Sequence, residues 1–182
     1  MNLLIKKRKG FTFEAKRQME AAGFTLIELM ITISIIAILS GVLMWLINPA
    51  SLLAKGRDAK RLSDLDSLNK AISLAIADDE LTLINTGACS DCSSISGTQA
   101  VDGTGFVKFT IPIGKTGLSK FLPTLPLDPT NTDPYYYTFG STTTGYEIHS
   151  VLESPDNAAK MSTDGGDKQN IYELGSDLDI IQ

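Results

Sequence analysis

Nineteen consecutive residues, Leu29 to Ile47, carry no charge, and a single acid, Glu28, stands at their head. As a helix, residues 24–47 would reach roughly 36 Å, enough to cross a hydrocarbon core of about 30 Å. Trp45, near the far end, suits the membrane interface. A conventional secretory signal peptide has a shorter apolar region followed by a small-x-small cleavage site. Here the run is long, and Asn48-Pro49-Ala50-Ser51 follows it. No cysteine stands there for a lipoprotein cut. A membrane-crossing segment is therefore the constraint that the rest of the chain must accommodate.

Charge is divided around that segment. The first 23 residues hold six basic groups (Lys6, Lys7, Arg8, Lys9, Lys16, Arg17) against Glu14 and Glu20, a net of +4. The remaining 159 residues hold 10 basic and 19 acidic groups, a net of −9. Such a body repels phosphates, so nucleic-acid binding through a general basic surface is not predicted. The basic head holds the N-terminus in the cytoplasm by the positive-inside rule. Lys55, Arg57, Lys60 and Arg61 beyond the span oppose this, but they are fewer. The C-terminal part is expected to face outward.

Past Pro49 the pattern becomes amphipathic. Leu62, Leu65, Leu68, Ile72 and Ile76 recur at three- and four-residue steps, with Ala75 beside them. Lys60, Arg61, Asp64, Asp66, Ser67 and Lys70 are read as the solvated face. One long helix is predicted from about residue 25 to about 78, with Gly41, Pro49 and Gly56 as places to bend. Residues 85–105 read as loop, Phe106–Ile111 as a short strand, and Tyr135–Phe139 with Tyr146–Leu152 as a hairpin. Residues 153–170 read as loop, and Ile171–Leu174 as a last strand. The expected domains are a leader (1–23), an apolar helix (24–47), its amphipathic continuation (48–84) and a globular part (85–182).

The string Ala22-Gly23-Phe24-Thr25-Leu26-Ile27-Glu28-Leu29, between the basic head and the apolar run, resembles the processing site of type IV pilins and pseudopilins. That family joins a glycine, an N-methylated phenylalanine, and a glutamate five positions after the cut. The resemblance makes Gly23 the residue before the scissile bond and Phe24 the methylated new N-terminus. An upstream string, Gly10-Phe11-Thr12-Phe13-Glu14, has its acid one residue too near and no apolar run behind it. A carboxylate inside a membrane helix costs several kcal/mol unless paired. Cleavage creates an ammonium at Phe24, and Glu28 of one subunit can meet the Phe24 ammonium of a neighbour. The alternative is an acid snorkelling near the membrane face.

The stretch Arg57 to Ile72 is similar to the helix continuation of major pseudopilins of type II secretion and their pilin relatives. So are Leu125-Pro126-Leu127-Asp128-Pro129, Tyr135–Tyr137 and Gly145–Ile148. The resemblance implies an α+β pilin fold, a long N-terminal transmembrane helix packed on a small antiparallel β-sheet of three or four strands. It implies a filament subunit of a type IV pilus or a type II secretion pseudopilus. The implied partners are a prepilin peptidase/methylase, identical or related subunits, membrane lipid, and an inner-membrane assembly platform with its ATPase. The implied location is the bacterial inner membrane, crossed once, and then a periplasmic or extracellular filament. A membrane-tethered binding ectodomain that never polymerises is the competing class.

Weaker signals remain. Major pseudopilins often bind calcium, and Glu153, Asp164 and Asp167 offer hard oxygen ligands for Ca2+, although their spacing departs from the family pattern. A solvated acidic turn is the plain alternative. Cys89 and Cys92, in an exported loop, favour a small disulfide. A four-ligand zinc site of Cys and His alone cannot form from two cysteines and one histidine. His149, on a strand, reads as a packed or surface residue. No nucleophile elbow, phosphate loop or His/Glu metal motif points to an enzyme.

Overall fold

The computed structural model describes residues 23–87 and 89–181. The leader residues 1–22, with their basic cluster, lie outside the described residues. The chain divides into two compact units, Met1–Ile47 and Asn48–Gln182.

In the first unit, helix α1 spans Leu26–Leu46. Thr25 caps its start, accepting a hydrogen bond from Glu28 N–H at 3.3 Å. Ile47 leaves the helix with extended backbone (φ −99°, ψ 116°). Helix α2, Pro49–Ala77, begins afresh two residues later, after the cap residue Asn48, whose side chain accepts from the N–H groups of Ala50 and Ser51. The single predicted helix is therefore two. Pro49 is the cause, because its ring disfavours helical backbone at the preceding residue and it brings no N–H of its own. At the first position of a new helix both defects are harmless.

In the second unit, α2 lays Leu65, Leu68, Ala71, Ile72 and Ala75 into the core. Facing them are Phe106, Leu118, Leu125, Tyr137, Phe139, Tyr146 and Ile148. Two small sheets carry this layer. Strands β1 (Thr82–Leu83) and β2 (Phe109–Thr110) pair antiparallel. Strands β3 (Thr138–Ser141), β4 (Tyr146–Ser150) and β5 (Tyr172–Gly175) form an antiparallel sheet in the order β3-β4-β5. The fold is α+β, as expected. Residues 153–170 are not wholly loop: a short helix α3, Ala158–Ser162, buries Met161.

Register decides which side chains share a face. Phe139 pairs with Ile148, and Ile148 with Leu174, a row turned toward α2. Alternation sends Glu147 and His149 to the opposite face, and His149 pairs across to Glu173. Ile180 and Ile181 lie against that face. Ile180 and Ile181 donate backbone N–H bonds to Glu147 Oε2 at 3.0 and 2.8 Å. A side chain at Gly140 would collide with Ile181, its Cβ meeting Cγ1 at 2.5 Å.

Candidate functional site

Gly23 and Phe24 precede α1 in non-helical conformation. Space around Gly23 is open, and Phe24 is 77 % exposed. Among the described residues nothing crowds the Gly23–Phe24 bond. Glu28 follows in the first turn of α1, where the helix dipole favours an acid. The Thr25 hydroxyl, besides capping Glu28 N–H, donates to Glu28 Oε2 at 3.4 Å. Thr25-x-x-Glu28 is thus a variant of the capping box, a signal the sequence reading passed over. Capping and dipole together are worth about 1–2 kcal/mol. That falls short of the several kcal/mol that an unpaired carboxylate costs in hydrocarbon. The local contacts orient Glu28 without accounting for it.

The remainder of α1 offers only apolar surface. Leu29, Ile31, Ile33, Ile36, Leu39 and Leu43 are all more than half exposed. The hydroxyls of Thr32 and Ser34 return to the carbonyls of Leu29 and Met30 at 2.8 and 2.7 Å, so two of the three hydroxyls of α1 are satisfied within the helix. Leu26–Met44 is long and apolar enough to cross a membrane. A helix greasy on every side needs lipid or other helices around it.

In the second unit a charged network ties α2 to two loops. The side chain of Arg61 is fully buried and ion-pairs with Asp58 (3.0 Å), Asp128 (2.5 Å) and Glu153 (2.7 Å). Its guanidinium lies over the Tyr135 ring, 4.9 Å from the centroid. Asp58 in turn accepts from the backbone N–H groups of Glu153 and Ser154 and from Asn157 Nδ2, each at 2.8 Å. Arg57 forks onto the same Glu153 carboxylate, its Nε at 2.9 Å from Oε1. Hydrogen bonds from Arg57, then Arg61, hold the Glu153 carboxyl down at about 2. Burial pushes Asp128 upward, but the Arg61 and loop N–H bonds outweigh it and lower the carboxyl overall. Arg61 and Asp64 belong to this interior and not to the solvated face the sequence suggests. Ile76, placed on the apolar stripe, is exposed instead.

The three candidate calcium ligands share no centre. Glu153 is taken up by the two guanidinium groups. Asp164 accepts from the N–H groups of Gly166 (3.1 Å) and Glu173 (2.8 Å), serving as a turn-former. Asp167 sits beside Lys168 at 3.4 Å. The structure carries a Cys89–Cys92 disulfide, with the Cα atoms 5.4 Å apart. Among the described residues, a different trio stands close enough to share an ion: Glu147, His149 and Glu173.

Residues 19–44 match the family model of the prokaryotic N-terminal methylation motif. The match spans Gly23, Phe24 and Glu28 and most of α1, a small part of the 182-residue chain, and supports a type IV pilin-like protein. No curated protein and no solved structure matches the chain.

Proposed function

We propose that the chain is a structural subunit of a type IV pilus-like filament. A prepilin peptidase cuts it after Gly23 and methylates Phe24. Before and after the cut, α1 anchors it once across the bacterial inner membrane, with the N-terminal side inside and residues 48–182 outside. An assembly platform with its ATPase then draws subunits into a stack through α1, in which identical or related helices replace lipid around the apolar surface. Glu28 of one subunit pairs with the Phe24 ammonium of the next and sets their stagger. The chain works by assembly, without turnover. The resemblance of Leu125–Pro129, Tyr135–Tyr137 and Gly145–Ile148 to major pseudopilins favours a type II secretion pseudopilus over a surface pilus.

One observation supports this reading: within the matched motif, a lone acid heads an apolar helix and has no cationic partner among the described residues. Two measurements test it. Mass spectrometry of the mature protein is expected to find an N-terminus at Phe24 bearing one methyl group. Chemical cross-linking of intact cells is expected to trap the chain in a ladder of multimers. A mature protein that begins at Met1, or beyond Pro49, refutes the processing. Processed protein that stays in the membrane as monomer leaves a tethered ectodomain in place of the filament subunit.

A further inference from the structure

On the face of the β3-β4-β5 sheet turned away from α2, ligand atoms of Glu147, His149 and Glu173 lie within 4.8 Å of one another. The side chains of both glutamates are fully buried, and the imidazole is 13 % exposed. Each carboxylate is anchored through one oxygen only. Glu147 Oε2 accepts from Ile180 and Ile181 N–H. Glu173 Oε2 accepts from Lys168 N–H at 3.0 Å. The other two oxygens are left for the interior of the trio. Glu147 Oε1 stands 3.3 Å from His149 Nδ1. Glu173 Oε1 is buried with no hydrogen-bond partner among the described residues, and Lys168 Nζ stands 3.9 Å away.

We propose that Glu147, His149 and Glu173 form a binding site for a divalent metal of the zinc class, which staples β4 to β5 beneath the C-terminal segment.

The donor set selects the ion. Calcium takes six to eight oxygens and magnesium keeps an octahedral shell of water, whereas one imidazole and two carboxylates suit zinc. Tetrahedral zinc places its ligand atoms roughly 3.3 Å apart. The Glu147–His149 pair already has that spacing, and Glu173 needs a small side-chain movement to join. Water supplies the fourth ligand through the exposed edge of His149. The backbone bonds on the outer oxygens orient the ligands. Charge points the same way. Two fully buried carboxylates face each other here, with Glu173 Oε1 left without a hydrogen bond among the described residues. A dication between them offsets their mutual repulsion. Close packing at Gly166 completes the enclosure: a Cβ there would lie 2.0 Å from Glu173 Oε2.

The test uses the untagged full chain in detergent micelles, stripped with chelator and then titrated with zinc chloride, with calcium and magnesium chlorides as controls. All five tyrosines lie between 135 and 172, so tyrosine fluorescence reports this unit. One equivalent of zinc is expected to survive gel filtration. At a hundredfold excess over the dissociation constant, zinc is expected to raise the unfolding midpoint by roughly 5–10 °C. Calcium and magnesium are expected to do neither. His149→Ala, at the exposed edge, is expected to fold and to bind zinc at least about tenfold more weakly. Glu173→Gln is expected to lose the zinc-induced rise while its metal-free midpoint holds or increases. Zinc retained equally by wild type and both variants means ions bound elsewhere, and overturns the proposal. So does a wild type that retains none: Glu147 and Glu173 would then be a buried pair sharing one proton.

Discussion

Replacing Glu153 by glutamine removes the carboxylate that Arg57 and Arg61 share, while keeping the shape of the side chain. In the folded protein this carboxyl is held at about 2 against an ordinary 4.5. Linkage converts that difference into roughly 3 kcal/mol of stability at neutral pH. Arg57 is 37 % exposed, so solvent screens its share, and about 2 kcal/mol is a better expectation. Because the folded value lies below the unfolded one, the contribution is complete above pH 4.5 and fades as pH falls toward 2. Urea unfolding of the full chain in micelles, followed by tyrosine fluorescence, measures it. Wild type and Glu153→Gln should differ by about 2 kcal/mol at pH 7, and the gap should shrink steadily between pH 5 and pH 2.5. Carboxylates remote from Arg57 and Arg61 titrate alike in both proteins and cancel in the comparison. A gap that is constant with pH, or below about 0.5 kcal/mol at pH 7, refutes the claim that this ion pair fastens α2 to the 153–157 turn.

Two further outcomes can be checked in the same assay. Leu68, fully buried beneath the sheet, should cost about 2–5 kcal/mol when replaced by alanine, with the midpoint shifted and the urea slope retained. The Cys89–Cys92 bridge spans a sequence separation of only three. Its loss in a Cys89→Ser, Cys92→Ser double variant should therefore cost no more than about 2 kcal/mol, read as the difference from wild type in oxidising buffer.

The sequence reveals those parts of this fold that depend on local pattern. The uncharged run, the three- and four-residue spacing of Leu65, Leu68 and Ile72, and the hairpin of β3 and β4, whose first strand starts at Thr138 and not at Tyr135, all describe elements whose residues are neighbours in the chain. The errors have the opposite origin. Arg61 is indistinguishable from a solvated helix residue until Asp128 and Glu153 arrive from 67 and 92 positions away. Guanidinium burial depends on those distant partners, and no periodicity announces them. The same holds for His149, whose companions are fixed by the β4-β5 register. Glu153, Asp164 and Asp167 suggest a ligand set by composition, yet each has a nearer obligation, to a guanidinium, a turn or a lysine. The break at Ile47–Asn48 was legible in principle. Pro49 marks it, but a bend and a restart look alike in one dimension.

Glu28 is the residue on which the functional reading turns, and its two roles can be separated. The Thr25 contacts account for helix capping, worth about 0.5–2 kcal/mol. Pairing with a neighbour's ammonium depends on charge. Thr25→Val deletes the hydroxyl and leaves the carboxylate, whereas Glu28→Gln keeps a side chain that still accepts from Thr25 and deletes the charge. If the stack is set by charge pairing, Thr25→Val should still form filaments, with some loss of yield. Glu28→Gln should be cut and methylated at Phe24 yet remain in the membrane. Failure of Thr25→Val with normal assembly of Glu28→Gln would instead assign the acid to capping. Normal assembly of both variants would show that apolar packing alone sets the stagger. Only the charge-pairing account predicts that an uncapped helix assembles better than an uncharged one.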